Sequence, residues 1–260
     1  MSKIHTFAVC AYKDSPYLND CVESLMYQRK YSDIIMCTST PDDYIKGIAE
    51  KHGIPLYIRE GKSDIVDDWN FAVSKAKTPW VTVAHQDDLY NRSYSIELVN
   101  AIKKRPDAIM AFTDYYPIKH GEITTDLNSR LRRFFRSPMK SKTLSGIKFF
   151  KKYCLAFGNS ICCPTCAYNK ELCRTTIFQS RLKFACDWET FVDLAGTKHP
   201  FLYVDKVLTY YRIHDDATSK EWTEDNKRKE EEIYMFRKFW PDWLIKIGYQ
   251  FFKISYKTYD

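Results

Sequence analysis

Between residues 4 and 88 the chain alternates apolar, β-branched segments with amphipathic ones, and this alternation limits the folds open to it. Parallel strands need long crossover connections, which are usually helices, so the order predicts an α/β fold: a mainly parallel sheet with helices on both faces. Ser15 and Pro16 stand where a first helix begins, as its expected N-cap and first residue, and Gly53 stands where a second helix ends. The predicted strands are 4–11, 33–37, 55–58 and 80–84, and the predicted helices are about 15–26, 41–53 and 65–77. A helix near 93–104 and a strand near 107–113 continue the pattern.

The charge, the cysteine distribution and the absence of certain motifs exclude several classes of function. The 260 residues carry a formal net charge of +7, which favours an anionic partner: a phosphate, a nucleic acid or an acidic membrane face. No Gly-x-Gly-x-x-Gly follows the first predicted strand and no Walker motif occurs, so dinucleotide and P-loop sites are disfavoured. There is no signal-like or membrane-spanning stretch, and the nine cysteines are scattered, so we expect reduced thiols and a cytoplasmic location. Cys162, Cys163 and Cys166 lack a second Cys/His pair at zinc-finger spacing, which disfavours structural zinc.

The fourth predicted strand ends in His85-Gln86-Asp87-Asp88, an imidazole followed by carboxylates. Ligands of open α/β sheets bind outside the carboxyl ends of strands. Residues i and i+2 of an extended chain point to the same side, so His85 and Asp87 are expected to face one ion together. A nitrogen and an oxygen ligand favour Mn²⁺ or Mg²⁺ over a thiolate site. The alternative is simple turn capping by the Asp side chains.

Two later segments carry candidate chemistry. Cys186-Asp187-Trp188-Glu189 opens a predicted helix. Its acids are either ordinary first-turn residues or include a general base beside an aromatic wall. Residues 201–204 and 207–211 predict a hairpin or paired strands leading to His214, which is either structural or closes a coordination sphere opened by His85 and Asp87.

The segment 127–170 contains no acidic residue, and its basic first part is interleaved with Leu131, Phe134, Phe135 and Met139. The pattern indicates an irregular segment that is either a solvated loop or a contact surface for a pyrophosphate or an anionic membrane. The chain from residue 224 onward predicts one or two helices whose aromatic and lysine residues either pack on the body or lie at a membrane interface.

Taken in order, these features resemble the family 2 glycosyltransferases of the GT-A fold, over residues 3 to about 218. Family members have a Pro-Thr-Tyr-Asn-like loop after the first strand, acidic residues after the second, an Arg-Asn pair in the third helix, an Asp-x-Asp motif, a Glu-Asp-Trp motif and a Tyr-Arg-x-His motif. At those places this sequence has Cys10-Ala11-Tyr12-Lys13, Thr38-Ser39, Trp69-Asn70 with Asp68 beside it, His85-Gln86-Asp87, Cys186-Asp187-Trp188 and Tyr211-Arg212-Ile213-His214.

The resemblance implies an inverting, metal-dependent glycosyltransferase that moves a sugar from a nucleoside diphosphate, with UDP favoured, to a hydroxyl. It implies a mixed, mainly parallel GT-A sheet, in one domain over 1–220 with a nucleotide-sugar half (1–115) and an acceptor and catalytic-base half (116–220), and a helical tail over 221–260. The acceptor class it suggests is a lipid-linked saccharide of surface polysaccharide synthesis, handled by a cytoplasmic enzyme peripheral to the membrane. The implied residues are Asp187 as base; Ala11, Tyr12, Thr38, Ser39, Asp68, Asn70, His85, Gln86 and Asp87 for the donor; Asp87, His85 and His214 for Mn²⁺ or Mg²⁺; and Asp88, Asn159 and Trp188 for the acceptor.

Three other functions remain open from the sequence. A nucleotidyltransferase would use a similar sheet and metal, but it usually carries a Gly-rich phosphate loop near the N-terminus, which is lacking here. A catalytically degenerate GT-A domain acting as a binding module is compatible with the departures at Thr38, Trp69, His85 and Cys186. An RNA-binding protein has only the basic charge in its favour, so no nucleic acid partner is expected.

Overall fold

The computed structural model describes residues 2–125, 127–173, 176–214 and 227–252. The predicted boundary at 220/221 and the tail residues 221–226 and 253–260 lie outside the described residues. The strands are β1 His5–Ala11, β2 Asp33–Thr38, β3 Leu56–Ile58, β4 Trp80–His85, β5 Leu89–Tyr90, β6 Met110–Lys119, β7 Glu122–Ile123, β8 Cys166–Asn169 and β9 Phe201–Ile213. The α-helices are α1 Leu18–Met26, α2 Asp43–His52, α3 Ile65–Lys75, α4 Tyr94–Lys104, α5 Leu127–Arg136, α6 Lys148–Tyr153, α7 Cys186–Ala195, α8 Lys227–Arg237 and α9 Asp242–Phe252. Among these helices none has the length and apolar character needed to cross a bilayer.

Within the described ranges the strands form one sheet in the order β3-β2-β1-β4-β8-β6-β9-β5, with β7 beside β6. Strands β1 to β4 pair in parallel, β8 lies antiparallel between β4 and β6, and β9 runs parallel to β6. Ala11 therefore pairs with Thr38, and Cys10 with His85, at one edge of the sheet. This register brings the ends of β1, β2 and β4 together, where the sequence placed its motifs.

The core has two layers, one on each face of the sheet. Alternate residues of β1 enter different layers, Phe7 and Val9 one and Ala8 the other, because successive strand side chains point to opposite faces. Helices α1, α2 and α4 cover the Phe7 layer, whereas α3, α7 and the tail helices cover the Ala8 layer. Met235 and Phe236 of α8 are buried there, so the tail packs on the body.

Three predicted local structures were wrong. The hairpin over 201–211 is one strand, β9, which pairs with β6 along its length and shifts register where Asp205 and Lys206 bulge outward. A bulge inserts extra residues into a strand without reversing it, and no Gly or Asn stands there to form a tight turn. The segment 127–153 is partly helical, in α5 and α6, where an irregular segment was expected. Helix α1 begins at Leu18, after Tyr17, and the expected cap Ser15 donates instead to Asp87.

Candidate active site

A cleft of about 520 Å³ lies outside the carboxyl ends of β1, β2 and β4. Helices α3, α5, α7 and α8 supply its other walls. The lining includes most of the sequence-predicted site residues: Ala11, Tyr12, Thr38, Asp68, His85, Gln86, Asp87, Asp88, Asn159, Asp187 and Trp188. The fold thus brings residues from both halves of the chain to one cavity.

Gln86 joins the loops that follow β1 and β4. Its side-chain carbonyl accepts from the Tyr12 N–H at 2.8 Å, and its amide donates to the Tyr12 carbonyl at 3.0 Å. Next along the chain, Lys13 has a φ of +52°, a left-handed conformation that non-glycine residues rarely adopt, and its N–H donates to the Thr40 hydroxyl at 2.8 Å. Two reciprocal hydrogen bonds therefore hold the Tyr12 backbone at the edge of the cleft.

Asp87 lies where three elements meet. The Ser15 hydroxyl donates to its Oδ1 at 3.1 Å, and the Arg212 guanidinium donates to its backbone carbonyl at 3.0 Å. Nε2 of His214 is 3.4 Å from Asp87 Oδ2. The His214 ring packs on Tyr17, and neither of its buried nitrogens has a hydrogen-bond partner within the described part of the chain. The carboxylate and the imidazole are thus adjacent, and a nitrogen lone pair of His214 is available to bind a ligand.

His85 does not pair closely with Asp87. Its ring stacks on Trp69, with centroids 5.2 Å apart, and its Nδ1 is 3.9 Å from Asp88 Oδ2. Burial lowers the pKa of His85 to about 4, so the imidazole is neutral near pH 7. Asp88 is buried and accepts from the Arg212 N–H at 2.9 Å, and desolvation raises its pKa well above the usual range.

Asp187 occupies the first turn of α7 and is half-buried in the cleft wall. The Asn159 amide donates to its Oδ2 at 2.8 Å, and the Trp188 N–H donates to its Oδ1 at 2.6 Å. Burial raises the pKa of Asp187 to about 6, although both hydrogen bonds and the charge of Arg132 act in the opposite direction. Trp188 is buried and its indole N–H donates to the Leu155 carbonyl at 3.0 Å, which locks the residue beside the carboxylate.

Asp68 is the centre of a second hydrogen-bonded group. Asp68 accepts from Arg59 at 2.6 Å and from the hydroxyls of Ser39 and Ser63, both at 2.9 Å. Asn70 lies apart from the cleft lining, since its amide donates to the Phe178 carbonyl at 2.7 Å and accepts from the Phe178 N–H at 3.1 Å. Asn70 therefore ties α3 to the loop before α7.

Most of the chain matches the sequence profile of one protein family. The sequence profile of glycosyl transferase family 2 matches residues 6–175. The chain belongs to glycosyl transferase family 2. The predicted family is thereby confirmed, and the matched range contains the loops after β1, β2 and β4 that form one side of the cleft.

Solved structures of glycosyltransferases share the fold of this family 2 chain. TarS 1-349 from S. aureus in complex with UDP-GlcNAc superposes with a TM-score of 0.60 at 15% identity, covering 84% of this chain and 60% of that one. Mannosyltransferase PcManGT from Pyrobaculum calidifontis, in complex with GDP-Man and Mn²⁺, gives 0.56 at 15% identity, covering 90% and 63%. The chain therefore spans about three fifths of the length of these structures, and the predicted GT-A fold is confirmed. Curated protein sequences give no significant match.

The family 2 cleft also contains residues that the sequence motifs did not single out. Arg132 of α5 was noted only as part of the basic segment, and it lines the cleft with Tyr115 of β6 and Lys183. Arg228 and Glu232 of α8 line it too, both buried, 3.0 Å apart. A basic residue in an acid-free segment was a usable signal for Arg132, whereas nothing in the local sequence marked the tail residues.

The predicted metal ligands His85, Asp87 and His214 are only partly brought together. Within the described ranges no three His, Cys, Asp or Glu side chains come together as a ready-made metal site. Asp87 and His214 nevertheless supply an adjacent carboxylate and imidazole, and buried His85 Nε2 has no partner in the described part of the chain. Mg²⁺ and similar ions often take only one or two protein ligands and complete their shell with substrate phosphates and water. The residues present fit an ion bound in that way.

Proposed function

We propose that this chain is an inverting glycosyltransferase that moves a sugar from a nucleoside diphosphate donor, with UDP favoured, to an acceptor hydroxyl. The observation that carries the proposal is Asp187: a half-buried carboxylate with its pKa raised to about 6, held by Asn159 in a cleft shared with Asp87. A general base works best when its pKa lies near the operating pH. Family membership and the nucleotide sugars named in the related structures support the same reaction class.

In the proposed reaction Asp187 takes the proton of the acceptor hydroxyl. That oxygen bonds to the anomeric carbon as the bond from this carbon to the diphosphate oxygen breaks on the opposite face, so the configuration inverts. Trp188, Asn159 and Asp88 are the candidate acceptor contacts, because all three line the cleft. Asn159 also donates to the base, so it orients the carboxylate.

Negative charge develops on the departing diphosphate, and groups suited to it lie in the cleft and beside it. Asp87 and His214, with His85 nearby, would hold Mn²⁺ or Mg²⁺, which when bound neutralises phosphate charge. Arg132 and Lys183 also line the cleft and add positive charge to it. The Mn²⁺ in the related mannosyltransferase structure supports the choice of ion.

For the donor nucleoside we propose the group built around Asp68, with Ala11, Tyr12, Thr38, Ser39 and Gln86. Tyr12 is well exposed at the cleft edge, and Thr38 and Asp68 line it. Asn70 acts in this proposal through α3 rather than by direct contact, because its amide is bound to Phe178. Residues 1–115 then form the donor half, and residues 116–220 form the acceptor half.

The first test is binding of UDP, GDP, dTDP and CMP, each with and without Mn²⁺, measured by calorimetry. We expect one nucleotide to bind in a metal-dependent manner and Asp87→Ala to lose this binding. Asp43→Ala is the matched control, since Asp43 is a fully exposed carboxylate on α2 away from the cleft. Binding of the nucleotide by Asp87→Ala at wild-type affinity would remove Asp87 from the donor site.

A second candidate is a catalytically degenerate GT-A domain that acts as a binding module. The lack of three clustered metal ligands among the described residues favours it. It predicts no nucleotide binding, or binding without any transfer to a sugar acceptor. A nucleotidyltransferase would instead form a nucleotide sugar from a sugar phosphate and a nucleoside triphosphate. Incubating the same protein with these two substrates tests that reaction.

A further inference from the structure

Helix α5 leaves one of its faces uncovered. Leu127, Leu131 and Phe134 follow the i, i+4, i+7 spacing of a single helical stripe. They are 67, 47 and 63% exposed, so this stripe is not part of the core. The opposite side of the helix carries Asn128, Ser129 and Arg132, which line the cleft. One helix therefore separates the candidate active site from an exposed apolar surface.

The stripe continues into neighbouring aromatic residues. Phe134 contacts Phe135 with ring centroids 5.7 Å apart, Phe135 stacks on Phe157 at 4.7 Å, and Phe157 meets Trp240 at 5.2 Å. We call Leu127, Leu131, Phe134, Phe135, Phe157 and Trp240 the apolar ridge. Phe157 precedes Asn159, the partner of Asp187, by two residues. The ridge thus includes a residue two positions before the partner of the proposed base.

The charged residues of helix α5 are all basic: Arg130, Arg132, Arg133 and Arg136. Arg130 is exposed and lies three residues after Leu127 and four before Phe134, beside the stripe. Residues 127–170 contain no Asp or Glu, and exposed Lys148 and Lys152 of α6 belong to this segment. A strongly amphipathic helix with large apolar residues on one face and basic residues beside them is the pattern of helices that lie in the interface of an anionic bilayer.

We infer that the apolar ridge docks on an anionic lipid bilayer, with the side chains of Leu127, Leu131 and Phe134 inserted at the headgroup boundary. The cleft then opens close to the membrane surface on its acceptor side, where a lipid-linked hydroxyl would reach Asp187. Only this last step rests on the proposed function. The docking itself needs neither donor nor turnover.

The test is co-sedimentation of the full chain with vesicles of phosphatidylcholine alone or mixed with phosphatidylglycerol, without nucleotide. We expect binding to the anionic vesicles only, and weakening as salt rises from about 0.01 to about 1 M, which shortens the screening length from about 30 to about 3 Å. Leu131→Asp and Phe134→Asp should each reduce partitioning by about tenfold or more, since each withdraws a large apolar side chain. Arg130→Glu should reduce it and weaken its salt dependence.

Ile58→Asp is the matched control, because Ile58 is 48% exposed, like Leu131, but lies on β3 at the opposite end of the sheet. It should bind vesicles as the wild type does, and thermal melting should show that all variants fold. Failure of the wild type to bind anionic vesicles, or equal binding by Leu131→Asp, overturns the inference. A concentration-dependent dimer that Leu131→Asp abolishes, without vesicle binding, would assign the ridge to a second copy instead. Nucleotide binding is measured in parallel, so that loss of the donor site and loss of docking are distinguished.

Discussion

Asp187 is half-buried and accepts two hydrogen bonds that stabilise its charged form. For Asp187→Asn we expect turnover to fall by about 10² to 10⁴, the usual contribution of a general base, while nucleotide affinity stays near wild type. Transfer rates and calorimetric affinities measure the two effects separately. Glu189→Gln is the control, because Glu189 lies on the same helix but is bound by Ser180, Tyr234 and Lys238. A parallel loss of nucleotide binding in Asp187→Asn would contradict its role as base.

The pH dependence of transfer should report the same carboxylate. Because the base must be deprotonated, kcat should rise with pH through about 6, the pKa of Asp187, and level off above it. Asn159→Ala removes a donor that stabilises the charged carboxylate, so the pKa rises and the limb moves to higher pH. A pH–rate profile of both proteins measures this shift. An unchanged limb in Asn159→Ala would assign the titration to another group.

The position of Gln86 in its motif does not reveal what its side chain binds. Its place between His85 and Asp87 put it among the predicted donor residues, yet its side chain is used by the Tyr12 backbone. The partner is 74 residues away in sequence, so only the register of β1 against β4 brings the two together. The same holds for Ser15, predicted as a helix cap and found bound to Asp87.

Helix α8 contacts the turn that precedes the proposed base, Asp187. The carboxylate of Glu231 accepts from the N–H groups of Lys183, Phe184 and Ala185, at 2.9, 2.8 and 2.9 Å, in the turn that leads into α7. Arg228 of the same helix stacks on Phe184 with its guanidinium 4.3 Å from the ring centroid. The tail therefore fixes the start of the helix that carries Asp187.

For Glu231→Ala we expect kcat to fall by up to about 10², because an ångström-scale displacement of a catalytic group has that effect. Nucleotide affinity should change little, and the free energy of unfolding should fall by about 1–3 kcal/mol as three N–H groups lose a charged acceptor. Glu231→Gln keeps one acceptor oxygen and should recover part of kcat. Steady-state kinetics and chemical denaturation measure these effects. Wild-type kcat in Glu231→Ala would show that α7 is held without the tail.

The helices and strands differ in how far the local sequence determines their type and their ends. Helix α2 ends at its predicted signal, Gly53 with φ +56°, and Asp42 caps its first turn. Helix α5 has no acidic residue to offset its arginines, and it is held by tertiary ion pairs in which Arg133 and Arg136 meet Asp114 of β6. Strand β9 remains one strand because β6 offers a parallel partner along its whole length. Local patterns therefore predicted α2 and failed for α5 and β9.

The molecule as a whole joins a parallel half, β1 to β4, to a second half in which β6 and β9 run beside each other. Buried Asp114 of β6 and the cleft residue Tyr115 come from that second half. Arg212 at the end of β9 reaches back to Asp87 and Asp88, 125 and 124 residues earlier in sequence. The cleft is thus closed by contacts between segments that are far apart along the chain.

The amino-acid sequence by itself determined the alternation of strands and helices, the edge of the sheet at which the motifs lie and the family, because these depend on periodicity and on short motifs. Only the tertiary structure decided that His85 packs on Trp69 while His214 meets Asp87, and that the tail supports Asp187. Side chains choose partners by distance after the sheet has formed, and burial then sets their pKa values. Neither distance nor burial can be read from a segment taken alone.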